Sequence, residues 1–317
     1  MDMYQKRKAR QEKRENNNNE KNLSKISINW YPGHMAKTKK QIIQDLKLID
    51  IVIELLDARI PISSQNPNIA EITKNKKKII VLNKCDLSDD NQNKQWIEYF
   101  KNKNIPAVLV DSNSGRGIEE CIRQVEKIMQ VDLETNAEKG RTGRKIRAMI
   151  LGIPNVGKSS FINRISKRTT AGVGNKPGVT RQKQWIRINE KIELLDTPGV
   201  LWPKFESEEV ALHLCFTGTI KEEILDKIEI AYQLTKFLLE NYRKRLCERY
   251  KLEESYVEQT LKRDQPENNN IYEIMLEIGK KRGCIMSGGR IDEEKTSRMI
   301  IDEFKNGKLG KITIEKP

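Results

Sequence analysis

The stretch LGIPNVGKSS, residues 151–160, decides the fold of this chain. It has the spacing G-x-x-x-x-G-K-S, follows an apolar run typical of a strand, and leads into a periodic run typical of a helix. Glycines allow the backbone to turn its N–H groups inward around phosphates, and the helix start adds the positive end of a dipole. The stretch therefore predicts the phosphate-binding loop of a nucleotide-binding domain.

The loop and the strand after it supply candidate phosphate and metal contacts. Lys158 is expected to reach the β- and γ-phosphates, and the Ser159 hydroxyl to bind Mg²⁺. Asp196 and Gly199 end the run KIELLDTPG, where Asp196 can hold Mg²⁺ through water and the Gly199 N–H can sense the γ-phosphate. The other nucleotide-contacting positions expected in the loop are Asn155, Val156, Gly157 and Ser160.

A Gly-rich polar stretch, TTAGVGNKPGVTRQKQW (169–185), lies between these two segments. It has the composition of a switch loop that a bound triphosphate would order. Thr180 is the favoured candidate there for a second Mg²⁺ ligand and nucleotide contact, because a Thr hydroxyl and carbonyl suit a hard cation. Thr169 and Thr170 are rivals for the role.

A guanine-reading element precedes the phosphate loop along the chain. The apolar run before VLNKCDL (81–87) predicts a strand ending in Asn83-Lys84-Cys85-Asp86. The Asp86 carboxylate can accept from the guanine N1–H and 2-amino group, a donor pair that adenine lacks, while Asn83 and Lys84 support the base and tie this loop to the phosphate loop. The next predicted strand ends at Ser112-Asn113, which can offer a backbone N–H to the guanine O6.

This order is the reverse of that in ordinary GTPases. Because each element follows the carboxyl end of a predicted strand, the loops can meet in space whatever their order along the chain. Joining the old termini and opening the chain elsewhere produces such an order, and it is tolerated where termini lie close together on the surface.

Alternating strands and helices predict a mostly parallel α/β sheet with helices on both faces over residues 25–205. A polar linker is expected at 131–144. Beyond residue 205 the strand pattern stops, and periodic stretches near 207–215, 222–249, 271–282 and 292–305 predict a small all-α domain over 206–317. Residues 1–24 are charged and Asn-rich, which predicts a disordered basic tail.

The net charge of +14 favours a polyanionic partner such as RNA. No apolar run is long enough to cross a membrane, and the five scattered cysteines are typical of reduced cytoplasmic thiols. The candidate RNA contacts in the helical domain are Lys280, Lys281, Arg282, Arg290 and Lys308.

Taken together, these motifs resemble those of the circularly permuted GTPases, and within them the ribosome biogenesis GTPase A (YlqF/RbgA) family. The resemblance also rests on NWYPGHMAK (29–37), DARIP (57–61), GVT (178–180), GCIMSGG (283–289) and DEFKNGKLGKITIE (302–315). It implies a permuted P-loop GTPase domain that hydrolyses GTP to GDP with Mg²⁺, assists late assembly of the large ribosomal subunit, contacts rRNA, and is monomeric off the ribosome.

The hydrolytic residue is not obvious from the motifs. Val200 stands where many GTPases have a water-orienting Gln. The resemblance implies that His34 supports hydrolysis, with slow turnover until the ribosomal subunit stimulates it, and that Asn155 helps to hold K⁺. Two alternatives stay open: an RNA-binding adaptor that uses GTP with negligible turnover, and a permuted GTPase that acts on the small subunit. An ATP-dependent enzyme is disfavoured by Asp86.

Overall fold

The computed structural model describes residues 33–140, 143–169, 185–197, 207–220, 226–264 and 267–317. Its sheet contains β1 Ile51–Asp57, β2 Lys77–Asn83, β3 Ala107–Val110, β4 Ile146–Gly152, β5 Trp185–Arg187 and β6 Ile192–Leu195. The strand order across the sheet is β3-β2-β1-β4-β6-β5, and every neighbouring pair is parallel except the antiparallel edge pair of β5 and β6. The carboxyl ends of the five parallel strands therefore share one edge.

Helices cover both faces of this sheet: α1 Gly33–Leu46, α2 Pro67–Ile72, α3 Asp90–Asn102, α4 Ile118–Glu138 and α5 Lys158–Thr169. Alternate residues of central β1 point to opposite sides, as strand geometry requires. Ile53 packs with residues of α4 and α5. On the other face Val52 packs with α1 and Leu56 with α3. The predicted α/β class is confirmed.

The second half of the chain is helical, with α6 Glu208–Phe216, α7 Lys227–Asn241, α8 Arg243–Tyr250, α9 Glu254–Leu261, α10 Glu267–Lys281 and α11 Glu293–Lys305. Helix α7 packs against α6, α8, α10 and α11. Its buried side chains belong to the same hydrophobic cluster as Ile60, which lies in the loop after β1. The helical part is therefore packed against the sheet part.

Three local predictions are wrong. The linker expected at 131–144 begins as helix, because α4 continues to Glu138 with Gln130 bonded to Glu134 and Leu133 packed on the core. The single helix expected over 222–249 is interrupted at Tyr242, whose φ is −140° and whose hydroxyl donates to the Thr313 carbonyl at 2.9 Å. Helix α9 was not predicted.

Residues 312–315 lie across loops of the sheet domain. The Ile314 N–H donates to the Arg59 carbonyl at 2.8 Å, and the Ile312 N–H donates to the Leu87 carbonyl at 2.9 Å. The Glu315 carboxylate accepts from the Ile62 and Ser63 N–H groups and lies 3.0 Å from His213 Nδ1. This segment joins the helical domain to the loops that follow β1 and β2.

Within the described ranges, no helix has both the length and the apolar character needed to cross a membrane. All five cysteines are buried and unpaired, in agreement with their predicted thiol state.

Candidate nucleotide site

The predicted phosphate loop lies between β4, which ends at Gly152, and α5, which begins at Lys158. Asn155 and Gly157 have positive φ values of 58° and 99°. A Cβ at position 157 would collide with the side-chain amide of Asn83, and one at position 152 would lie 2.7 Å from the Leu55 carbonyl oxygen. Both glycines are therefore required by close backbone approach as well as by the turn.

Lys158 is buried at the start of α5. Its ammonium donates to the carbonyls of Gly152 and Ile153 at 3.2 and 3.3 Å. Desolvation lowers the pKa of Lys158 to about 8, and the nearby Asp196 carboxylate opposes this change. Burial likewise raises the pKa of Asp196, with Lys158 counteracting it. The two charges expected beside the terminal phosphates and Mg²⁺ are thus neighbours.

Asn83, the last residue of β2, connects three loops. Its Nδ2 donates to the Val156 carbonyl at 2.8 Å. Its Oδ1 accepts from the Ser112 hydroxyl at 2.7 Å and from the Ser112 N–H at 3.2 Å. One side chain therefore fixes the predicted guanine loops relative to the phosphate loop.

Lys84 makes a second connection from the left-handed region, at φ 60°. Its ammonium donates to the Asn155 carbonyl at 2.8 Å and lies 3.0 Å from the buried Asp57 carboxylate. Asp57 also accepts two hydrogen bonds from Arg59, at 2.9 and 2.8 Å. Burial alone would raise the pKa of Asp57, but the two cations outweigh it and hold that pKa well below its usual range. This agrees with the sequence-based interpretation that Asp57 and Arg59 fix a strand end.

Asp86 faces the cleft between these loops. Its Oδ1 is buried and accepts no hydrogen bond from the described residues. Burial raises the pKa of Asp86, and the neighbouring Asp111 carboxylate adds to the effect. A buried acceptor without a partner is unfavourable, so this oxygen is suited to a ligand that brings N–H donors.

Ser112 and Asn113 follow β3 and also line the cleft. Their backbone donors are used inside the protein, since the Ser112 N–H reaches Asn83 and the Asn113 N–H donates to the Asp111 carboxylate at 2.8 Å. The expected N–H contact with guanine O6 would therefore need one of these bonds to be exchanged.

A cleft of about 600 Å³ brings these groups together. Asp86 lies in its wall with Lys158, although the two residues come from different halves of the sheet domain. The other predicted residues that line it are Asn83, Lys84, Ser112, Asn113, Asn155, Gly157, Ser159 and Ser160. Val156 is buried behind the loop and contributes its carbonyl to Asn83.

The cleft has lining residues that the motifs did not reveal. Arg59, Asp111, Thr217, Lys305 and Asn306 contribute to its wall. The DARIP motif gave a signal for Arg59 alone. The last three belong to the helical domain, where no local pattern indicates proximity to a nucleotide.

Some predicted residues have only a partial description. Thr180 and Gly199 lie outside the described residues, as do the rivals of Thr180 in large part. His34 lies in the first turn of α1, with its side chain outside the description. Leu46 ends α1 next to the start of β1, and Lys39 donates to Asn68 near the start of α2 at 2.9 Å. The helix thus runs opposite to β1, and its first turn lies toward the edge that carries the cleft.

Four of the predicted RNA contacts are exposed: Lys280, Lys281, Arg290 and Lys308. Arg282 differs, because its guanidinium lies 2.7 Å from the buried Glu303 carboxylate, which Arg249 also contacts at 2.7 Å. Arg282 therefore has a structural partner within the domain.

A phosphate loop and an unsatisfied acidic group in one cleft, at the edge where parallel strands end, define a P-loop nucleotide-binding protein with a permuted chain order. A model of the family described as "50S ribosome-binding GTPase" matches residues 147–269. Ribosome biogenesis GTPase A of Bacillus cereus is 47% identical over 92% of this chain and 94% of its own length. The corresponding protein of Bacillus licheniformis is 45% identical over 92% of this chain and 98% of its own length.

A solved structure agrees with these sequence matches. GNP-bound YlqF from T. maritima superposes with a TM-score of 0.59 at 25% identity, over 89% of this chain and 98% of that chain. The chain belongs to the ribosome biogenesis GTPase A family. It is a GTPase that binds guanine nucleotide and acts in ribosome assembly.

Proposed function

We propose that this GTPase acts in late assembly of the large ribosomal subunit and contacts rRNA there. The observation that carries the proposal is the match of residues 147–269 to a family described as "50S ribosome-binding GTPase". The net charge of +14 supports it, as do the exposed basic residues on the helical domain. Lysine and arginine on an exposed surface suit RNA phosphates, although they give no sequence readout.

Within the cleft, we assign the guanine base to the Asp86 end and the phosphates to the Lys158 end. The buried Asp86 Oδ1 lacks a donor among the described residues, and guanine would supply one through N1–H or its 2-amino group. Lys158 donates to loop carbonyls at 3.2 and 3.3 Å, long bonds that phosphate oxygens can replace. Asn83 and Lys84 keep the two ends in register.

For Mg²⁺ we assign Ser159, Asp196 and Thr180. The described residues contain no group of three His, Cys, Asp or Glu side chains arranged to hold a metal. That sparse set fits Mg²⁺, which usually takes one or two protein ligands and completes its octahedron with phosphates and water. Bound there, Mg²⁺ would neutralise charge on the β- and γ-phosphates.

Asn155 remains the candidate for a K⁺ contact, as the family resemblance implies. Its side-chain Nδ2 donates to the Gly218 carbonyl at 2.8 Å, which leaves the amide oxygen as the atom that could face a cation. A comparison of hydrolysis rates in KCl and NaCl tests this, and equal rates would remove K⁺ from the proposal.

We assign the support of hydrolysis to His34. The first turn of α1 lies toward the cleft edge, and a neutral imidazole can orient water by hydrogen bonding. Slow turnover of the protein alone and stimulation by the large subunit are part of this proposal. A His34→Ala variant should lose the stimulated single-turnover rate, and an unchanged rate would exclude the residue.

Co-sedimentation with ribosomal subunits in GTP, GDP and a non-hydrolysable analogue tests the subunit assignment. We expect a cytoplasmic protein that is monomeric when free and pellets with large subunits in the triphosphate form. Preferential pelleting with small subunits would overturn the assignment. Turnover that stays negligible with large subunits would favour the adaptor alternative, so multiple-turnover hydrolysis is measured on the same samples.

A further inference from the structure

The helical domain supplies part of the wall of the nucleotide cleft. Thr217 follows α6, Lys305 is the last residue of α11, and Asn306 is its C-cap. None of these residues belongs to a GTPase motif. The cleft as described is therefore incomplete without the helical domain.

The end of α11 is held in place by the same residues that support the guanine loop. Arg59 Nη1 donates to the Lys305 carbonyl at 3.3 Å, and the Arg59 guanidinium lies over the Phe304 ring at 5.4 Å. Arg59 is itself fixed by Asp57, which pairs with Lys84 of the guanine loop. A short series of contacts thus fixes the Lys305 backbone relative to the cleft.

The Lys305 side chain lies against the loop that touches the phosphate loop. A Cβ added at Gly218 would lie 3.0 Å from Lys305 Cε, so the lysine stem passes directly over this glycine. The Gly218 carbonyl accepts from the Asn155 side chain at 2.8 Å. Lys305 therefore approaches the phosphate-binding end of the cleft, beside the loop residue Asn155.

The charges around the cleft favour an anionic ligand for this ammonium. Among the cleft-lining cations, Arg59 and Lys84 are both engaged by Asp57. Lys305 is four-fifths buried, with 21% of its side chain exposed, and its ion pair with Asp302 is long at 3.9 Å. A loosely paired ammonium on a largely buried stem can move to a phosphate with little loss of entropy or packing.

We propose that Lys305 contacts the polyphosphate of the bound guanine nucleotide, so that the helical domain takes part directly in nucleotide binding. This inference rests on the assignment of the cleft as the nucleotide site. It makes the affinity for polyphosphate depend on how α11 is docked, and it gives the helical domain a direct contact with the ligand.

Affinities of Lys305→Met for GMP, GDP and GTP test the inference by calorimetry at fixed ionic strength. Methionine keeps the length of the stem and removes the charge. We expect the loss relative to the unchanged protein to grow with the number of phosphates, reaching roughly tenfold for GTP. Lys305→Arg should retain most of the GTP affinity. Lys308→Met, an exposed position beyond the cleft, is the matched control and should bind as the unchanged protein does.

An equal loss for GMP and GTP, or no loss for either, would overturn the proposal. Lys158→Met is measured in parallel: if it also bound GTP normally, the assignment of the cleft itself would fail, which separates the two outcomes. Thermal unfolding without nucleotide checks the fold of each variant. Should Lys305→Met unfold, Lys305→Gln replaces it under the same criteria.

Discussion

The side-chain amide of Asn83 donates to the Val156 carbonyl at 2.8 Å across a separation of 73 residues. The same side chain accepts two bonds from Ser112. A single residue at the end of β2 thus sets the spacing between the two ends of the cleft, and its removal should disturb base and phosphate binding together.

Asn83→Ala should therefore weaken GTP and GMP to a similar degree, by roughly tenfold or more, since one to three hydrogen bonds that hold the loops are lost. Fluorescence titration with a labelled guanine nucleotide measures this. Asn241→Ala is the control, because that exposed amide bonds only within its own helix, to the Phe237 carbonyl at 3.1 Å. Retention of full GTP affinity by Asn83→Ala would contradict the role of this clamp.

Asp86→Asn should exchange guanine for xanthine. An amide offers a donor where guanine also has one at its 2-amino group, whereas xanthine has a carbonyl oxygen there. We expect GTP affinity to fall by roughly 10–100-fold and xanthosine triphosphate to become the better ligand. Competition binding with both nucleotides measures the switch. If GTP stayed preferred, Asp86 would not be the base-reading group.

Nucleotide binding should take up a proton at alkaline pH. The pKa of Lys158 is lowered to about 8 in the free protein, and a bound phosphate would raise it. Below that pH the lysine is already charged, so affinity does not depend on it. Above it, binding must add a proton and affinity falls as pH rises.

Calorimetry in two buffers of different ionisation enthalpy measures this uptake. At about pH 9, above the free-state pKa, the apparent binding enthalpy should differ between the buffers in the direction of proton uptake. At neutral pH the lysine contribution should vanish. Identical enthalpies at the alkaline pH would mean that Lys158 does not titrate on binding.

Asp57→Asn should destabilise the fold by about 3–5 kcal/mol, because Arg59 and Lys84 would keep buried charge without a counter-ion. The depressed pKa of Asp57 also means that its contribution is complete above the ordinary carboxyl pKa and is lost as pH falls below it. Denaturant unfolding near neutral pH and under acid conditions measures both effects.

The matched control for that variant is Asp132→Asn. Asp132 pairs with Lys77 at 2.8 Å, but both side chains are about two-fifths exposed. Removing such a pair should change stability by less than about 1 kcal/mol. Equal losses from the two variants would show that burial of the Asp57 cluster carries no special weight.

Combined replacement of Lys280 and Lys281 by alanine should weaken binding to ribosomal particles uniformly. Each lost phosphate contact should reduce the salt dependence by about one unit of slope. Lys101 and Lys127, exposed on the sheet domain, form the control pair. If both double variants bound alike at every salt concentration, the helical domain surface would not be the RNA contact.

The sheet and the paired loops were predictable because their signals are local. Apolar runs that end in Asn83 and in Gly152 place both motifs at strand ends, and parallel strands put those ends at one edge. The chain order did not matter, since the strand pairing sets the geometry.

The remaining features depend on contacts between distant segments. Lys305 and Thr217 reach the cleft only because the helical domain docks on the loops after β1 and β2. The break at Tyr242 likewise depends on a hydroxyl bond to Thr313, 71 residues away. Helical periodicity reports which face of a helix is buried and contains no information about the partner.

The pairing of central β1 with β4, in which Ile51 lies opposite Ala148, has a consequence for biosynthesis. During translation, the guanine-side loops leave the exit tunnel well before the phosphate-side loop exists. GTP therefore cannot template the early half of the nascent chain, and β1 must wait with one hydrogen-bonding edge open until β4 emerges. A delay in elongation between those strands would extend the exposure of that edge to aggregation.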